Sequence, residues 1–372
     1  MHDGVSSGRT GLRKVLIGAL IALAGLLAYL LLWPVDVDPV AWDAPTDRGY
    51  VGAYAPNTDL ADLTLIDLEP HHGPEDIVAL PDGRVLTATQ EGVVLRVDPA
   101  TDAVDVLADT GGVPLGMEMG ADGRLVVADA HKGLLTVALD GTVDVLTDTV
   151  DGTPILYADD LDIADDGVIY FSDASTKFGA AAHGSTLAAS LLEIMESAGT
   201  GRLLAYDPRD GSTRVVLDGL VFPNGVAMAP DGDVLLNVTG RYHVLKVDPE
   251  TGEHRVILDN LPGFPDNINR GPALADGTPT FFVGIVSPRA TFLDDNAGRP
   301  AMRRLAMRLP ASMRPSAQNY GLIVQITADG EVLRTWHDPS GAYETTTGAV
   351  VVGDRLYVTS LLADALGYTS YP

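Results

Sequence analysis

One pattern recurs six times along the chain: a tight turn built on Asp and Gly, followed at once by a short apolar run. The copies are LPDGRVLTA from Leu80, GADGRLVVAD from Gly120, ADDGVIYFSD from Ala164, APDGDVLLNV from Ala229, LADGTPTFFVG from Leu274 and VVGDRLYVTS from Val351. The turn needs a residue that tolerates positive φ, and each run has the length and β-branching of a fully buried strand. Most copies are followed by a second pair of strands joined at a turn, such as GVVLRVDPATDAVDVLAD and YHVLKVDPETGEHRVILDN. Four strands per repeat and six repeats predict an all-β fold, a six-bladed β-propeller.

The turn glycines refine this. Gly83 to Gly123, Gly123 to Gly167 and Gly232 to Gly277 are 40, 44 and 45 residues apart, each the length of one blade. The longer gaps, Gly167 to Gly232 and Gly277 to Gly353, place insertions at Lys177–Thr200 and at roughly Pro288–Asn319. Both read as helical, through LAASLLEIMES and RRLAMRLPASM. A propeller does not need them for closure, so they are packed decoration or a lid over the channel. The second, with Arg299, Arg303, Arg304, Arg308 and Arg314, is also a candidate for lying on anionic lipid. The last repeat lacks a full second hairpin, while an unassigned strand, ADLTLIDLE from Ala61, precedes the first; pairing the two closes the ring.

Ahead of the repeats, Val15 to Trp33 is 19 residues without a charge, enough at about 1.5 Å per residue to cross a bilayer core of roughly 30 Å. Arg9, Arg13 and Lys14 precede it, and Asp36, Asp38, Asp43 and Asp47 follow. The positive-inside rule then puts the N-terminus in the cytoplasm and the body on the extracytoplasmic side. The apolar run exceeds a typical signal-peptide core and no clean A-x-A site follows, which favours an uncleaved single-pass anchor over a cleaved signal. The expected organisation is a cytoplasmic tail over 1–14, a transmembrane anchor over 15–33, a tether over 34–60 and the propeller over 61–372. A formal charge of −27 would repel a phosphate backbone, which excludes nucleic acid as a partner. The chain has no cysteine, so thiolate metal sites and thiol nucleophiles are excluded, and any metal is held by oxygen or imidazole.

Glu75, Asp159, Asn224, Asp266 and Asn267 each stand just before or within an apolar strand, where a propeller turns its innermost strands toward one axis. Carboxylate and amide oxygens are what a hard cation of calcium's size takes. With no thiol and no histidine pair of zincin spacing, calcium is favoured over zinc.

The motifs GPEDI (Gly73–Ile77), PLGM (Pro114–Met117), VADAHKGLL (Val127–Leu135), DDLDIADDGVIYFSDAS (Asp159–Ser175), GRLLAYDP (Gly201–Pro208), FPNGVA (Phe222–Ala227) and LPGFPDNI (Leu261–Ile268) carry a resemblance. From about Gly73 to Tyr371 the chain resembles the strictosidine synthase-like branch of the calcium-dependent six-bladed propellers, which includes the paraoxonases and gluconolactonases. Its nearest likeness is to the membrane-anchored, adipocyte-type members, which share the N-terminal helix and the RRLAMRLP-like insertion. The resemblance implies that the five oxygen residues above bind a catalytic calcium, with Asp159 standing where the paraoxonase pattern has an Asn. It also implies a possible second calcium at Asp76 and Asp160 with a backbone carbonyl near Met117. His131 falls near a paraoxonase imidazole, although Leu115 stands in the partner position.

Three functions follow from this set. The first is calcium-dependent hydrolysis of small-molecule carboxylic esters or lactones, in which a carboxylate such as Asp266 or Glu75, or the imidazole of His131, activates water. The second is a non-catalytic propeller that calcium rigidifies around a ligand or partner. The third is a strictosidine synthase-type condensation; this needs a Glu on the last blade, where the sequence has Thr347, with Glu344 three residues earlier.

Overall fold

The computed structural model describes residues 6–371, so the first five residues of the expected cytoplasmic tail lie outside it. Helix α1 (Ser6–Leu32) contains one stretch, Gly11–Leu32, long and apolar enough to cross a membrane. The described residues then form six four-stranded antiparallel blades. Their innermost strands are Ile77–Ala79, Pro114–Met119, Ala158–Ile163, Pro223–Met228, Gly263–Gly271 and Thr346–Val352. The sixth blade takes its outermost strand from the N-terminal side: Thr64–Asp67 pairs antiparallel with Ala365–Ser370, Thr64 opposite Tyr368 and Asp67 opposite Ala365. This is the expected closure, and it ties the two ends of the ring together.

Apolar side chains packed between neighbouring blades form the core. Leu86, Val94, Leu125 and Val127 fill the space between blades 1 and 2, and Leu236, Val226, Leu203 and Val238 that between blades 3 and 4. Both insertions are helical, as expected. The first holds α2 (Ala180–His183) and α3 (Thr186–Glu196); the second holds α4 (Thr291–Asp295) and α5 (Pro300–Ala306). Ser185 caps α3 by accepting the Ala188 N–H (3.1 Å). Helix α5 begins at Pro300, whose fixed φ suits a first helical position.

The segment expected as a tether is laid across the body. Val37 is buried, and Val35, Trp42, Tyr50 and Tyr54 pack on the same apolar cluster. Its backbone is held on both inserts: Val40 N–H donates to the Glu196 carbonyl (2.8 Å) and Trp42 N–H to the Ala297 carbonyl (3.2 Å). Arg303, 1% exposed, is the centre of this strap. Its guanidinium donates to the carbonyls of Met195 (3.0 Å), Ala297 (3.1 Å) and Val40. Arg304 pairs with Asp38, and Arg308 binds the end of α1. Of the five arginines considered for lipid contact, Arg303 and Arg308 are therefore buried, and Arg304 is paired at the surface.

Candidate functional site

Five of the six innermost strands carry the same irregularity near their first residues. In each, two residues lie opposite one on the next strand: Leu115–Gly116, Asp159–Asp160, Asn224–Gly225, Asp266–Asn267 and Thr347–Gly348. A bulge of this kind breaks the ladder and re-aims a side chain. Here the first residues of four pairs, Leu115, Asp159, Asn224 and Asp266, line one cavity, and Thr347 reaches the backbone of Glu75 beside it. Glycine at the second position of three of these pairs, Gly116, Gly225 and Gly348, leaves no room for a Cβ. A Cβ on Gly225 would lie 2.5 Å from the Asp266 carbonyl oxygen and the Ile268 nitrogen, both backbone atoms of the next blade.

Glu75, just ahead of the first blade's inner strand, completes the ring. The structure brings together all five residues expected as calcium ligands, each 6% exposed or less. Asn267 Nδ2 donates to the Glu75 carbonyl and to Glu75 Oε1 (both 3.0 Å), and Asn224 Nδ2 donates to Asp266 Oδ1. The Thr347 hydroxyl donates to the Glu75 carbonyl (2.8 Å). Glu344 is not among the residues lining the cavity over this ring.

Burial, and secondarily the neighbouring Asp266 and Asp159, hold the Glu75 carboxyl well above the usual carboxylate range. Burial raises Asp159 likewise, with Asp266 adding to it. Asp266 is pushed up to about 7 by burial, against the lowering hydrogen bond from Asn224. Three carboxyl groups desolvated together cannot all ionise cheaply without a counter-charge.

Among the described residues, no three acidic or histidine side chains converge as a ready-made metal site. A cation here would need the amide oxygens as well, and the donor set offers them. Glu75 Oε2, Asp159 Oδ2, Asn224 Oδ1 and Asn267 Oδ1 are all buried, and among the described residues none has a hydrogen-bond partner. Orphaned buried oxygens are costly. Four of them on the expected ligands, two carboxylate and two amide oxygens, fit a hard cation such as calcium.

The possible second pair differs. Asp76 Oδ2 accepts the Met117 N–H (2.8 Å) and Oδ1 accepts from Asn269 (3.0 Å). Asp160 Oδ1 accepts the Leu161 N–H and Oδ2 the Val226 N–H (both 2.8 Å). All four oxygens are engaged, so these carboxylates staple blade 1 to 2 and blade 3 to 4. Asp162, two residues further along the same strand, does the same, accepting from Met228 and Arg270.

Above the ring lies a cavity of about 630 Å³, with Glu75, Asp159, Asn224 and Asp266 in its lining and apolar walls that include Phe222, Phe264 and Val286. Leu115 faces it from blade 2. His131 does not line it: it lines a neighbouring cavity of about 450 Å³ with His72 and Gln90, which shares Thr186, Leu187 and Leu361 with the first. Tyr157, which the sequence reading passed over, does line the main cavity. Its ring meets Phe222 edge-on at 5.3 Å, and its phenol is held far above its usual range by burial and by Asp159, Asp266 and Glu75. The signal available was its position two residues before Asp159.

The strictosidine synthase family profile matches residues 159–242, and that of the strictosidine synthase-like N-terminal region matches 52–97. Protein STRICTOSIDINE SYNTHASE-LIKE 6 of Arabidopsis thaliana is 32% identical over 303 residues, covering 78% of this chain and 76% of its own length. The adipocyte plasma membrane-associated protein of Bos taurus is 30% identical over 371 residues, covering 91% and 85%. Among solved structures, a gluconolactonase from Xanthomonas campestris aligns over 92% of this chain and 99% of its own, with a TM-score of 0.60 and 18% identity. A calcium-binding regucalcin from Agrobacterium tumefaciens aligns over 82% and 91%, with a TM-score of 0.55 and 15% identity. At such identities these two bear on the fold alone.

Proposed function

This chain belongs to the strictosidine synthase-like family, and from that premise we propose that it is a membrane-anchored, calcium-dependent hydrolase of carboxylic esters or lactones. The observation that carries the reading is the set of unpartnered oxygens on Glu75, Asp159, Asn224 and Asn267 at the polar end of a cavity with apolar walls. Together with Asp266 these residues would hold the ion, which when bound supplies the positive charge that polarises a substrate carbonyl. The names of two relatives or structural neighbours, a plasma membrane-associated protein and a calcium-binding protein, support the membrane and calcium parts of this reading.

The chain's own groups do the rest. Phe222, Phe264 and Val286 exclude bulk water, which strengthens every charge at the ring. Asn267 fixes the Glu75 carboxylate through Oε1, and Asn224 fixes Asp266 through Oδ1. A carboxylate oxygen of Asp266 or Glu75 takes the proton from a water as the water oxygen bonds to the carbonyl carbon. The same proton returns to the departing alkoxide when the C–O bond breaks, leaving an acid and an alcohol, or a hydroxy acid from a lactone. Residues 1–14 are assigned to the cytoplasm, 15–33 to the bilayer, 34–60 to a connector and 61–372 to the extracytoplasmic propeller.

The test is a panel of phenyl acetate, p-nitrophenyl esters and lactones of varied ring size, assayed on the full chain in detergent with calcium and with chelator. Turnover in calcium that disappears in chelator and in Asn224→Ala is expected. A calcium-bound protein that hydrolyses none of the panel overturns the reading and leaves a binding propeller.

A further inference from the structure

The wall of the main cavity is not made by the propeller alone. Tyr29 and Trp33, from the last turn of α1 and the residue just after it, line its mouth together with Leu187 and Leu191 of α3 and with Met307 and Ala311 of the second insert. The helix end is fixed there. Arg308, buried in the second insert, donates Nε to the Trp33 carbonyl (2.6 Å) and Nη1 to the Leu30 carbonyl (3.1 Å), while the Tyr29 hydroxyl donates to the Arg308 carbonyl (2.9 Å). These bonds satisfy carbonyls that a helix C-terminus leaves open and place a cation at the negative end of its dipole.

Tyr and Trp at the end of a membrane-crossing helix sit at the level of the headgroups. Trp33 is 59% exposed, and Met313, close beyond Ala311, is 64% exposed. The rim of the cavity is therefore at the bilayer surface, its apolar sides run inward from there, and its polar end is the ring of Glu75, Asp159, Asn224 and Asp266.

We infer that the cavity takes a single-chain amphiphile, a long-chain ester or lactone, sideways from the leaflet in which α1 ends. Its carbonyl reaches the oxygen ring, and its chain stays between α3 and the second insert or trails into the bilayer. A neutral head is favoured, because a chain with 51 acidic and 24 basic residues repels anionic ones. The chemistry in this inference rests on the hydrolase reading above; the binding does not.

The full chain is reconstituted in phosphatidylcholine vesicles and two measurements are made. The first compares kcat/KM for p-nitrophenyl palmitate dissolved in the vesicles with that for water-soluble p-nitrophenyl butyrate; the long ester is expected to be at least tenfold better. The second photolyses a long-chain methyl ketone carrying a diazirine toward the far end of its chain, followed by peptide mapping. Labels are expected on residues 29–33, on α3 and on 307–311, and unlabelled long-chain ester should compete them away. Labelling confined to the outer face of α1 without competition, or a short ester used as well as the long one, overturns the inference while leaving hydrolysis standing. Competed labelling with no turnover of either ester supports the inference and overturns the hydrolase reading instead.

Discussion

Replacing Asp266 with Asn should stabilise the protein when no metal is bound and destabilise it when calcium is present. The buried Asp266 carboxyl titrates near 7 against an ordinary value of 3.8, so between those values the native state holds a proton that the unfolded chain has lost. Its contribution to stability is full below about pH 4 and is lost as pH rises through about 7. Roughly three pKa units at 1.36 kcal/mol each amount to about 4 kcal/mol for this one group above pH 7. Burial also raises Asp159 and Glu75, and raises Asp76 to about 6, all with the same sign. Metal-free protein should therefore melt lower at pH 8 than at pH 5. Asp266→Asn should recover up to about 4 kcal/mol at pH 8, roughly 8 °C at about 2 °C per kcal/mol for a body of this size, and only about 1.6 kcal/mol at pH 5, about 1.2 units above the unfolded value. In calcium at pH 8 the order should invert once the free ion exceeds Kd by well over a thousandfold, where the parent gains more than about 4.1 kcal/mol and the variant, lacking a ligand charge, gains little. Thermal unfolding of the full chain in detergent, followed by circular dichroism at both pH values with chelator and with calcium, makes the comparison. A metal-free parent whose melting does not change between pH 5 and 8, or an Asp266→Asn variant that is the less stable one in chelator at pH 8, would refute the reasoning.

Asn224→Ala and Asp266→Ala should each abolish the calcium-induced rise in melting temperature together with nearly all turnover. Glu75→Gln should cost at least tenfold in kcat/KM by weakening the hold on the ion. His131→Gln should cost less than any of these, since His131 faces the neighbouring cavity; steady-state kinetics with the calcium melting shift as control decides. Gly225→Ala should lose about 2 kcal/mol or more by forcing a methyl group against the backbone of blade 5, read by chemical unfolding. Arg303→Ala strips three carbonyls of a buried charged donor. About 3 kcal/mol of local stability should go with it, seen as faster hydrogen exchange over residues 38–42 and the ends of α3 and α5, with the blades unchanged. Deleting Met1 to Trp33 should release a folded, soluble body; sedimentation of the truncated protein with membranes in high salt would contradict that.

The blades were legible because each repeats a local rule: a turn that needs Asp-Gly, then a strand with no polar face. Even the closing strand at Thr64–Asp67 could be read, as the one apolar run left without a repeat. The strap could not. Val37, Trp42 and Tyr50 dock one at a time on one apolar cluster, with no period to betray them, and the arginines of RRLAMRLP give no sign that Arg303 turns inward to collect three carbonyls. The second helix is also shorter than its amphipathic run, because Pro310 stops the backbone soon after Ala306. At the site, residue types and their order marked the oxygen-bearing residues that the structure gathers around Glu75. The bulges that aim them were present as a recurring pair, Leu-Gly, Asp-Asp, Asn-Gly, Asp-Asn and Thr-Gly, each at the head of an inner strand, but they emerge only when the strands are paired. Asp76 and Asp160 have the right chemistry for a second ion, and only the paired strands reveal that one oxygen of each accepts a backbone N–H of the next blade.

A calcium titration of the chelator-treated full chain, in which bound metal and hydrolysis of a p-nitrophenyl ester are followed in one sample, tests the central claim most directly. One ion per chain should bind, turnover should rise along the same curve, and both should be absent in Asn224→Ala. Hydrolysis that persists undiminished in the metal-free protein, or a fully loaded site with no hydrolysis, would contradict it.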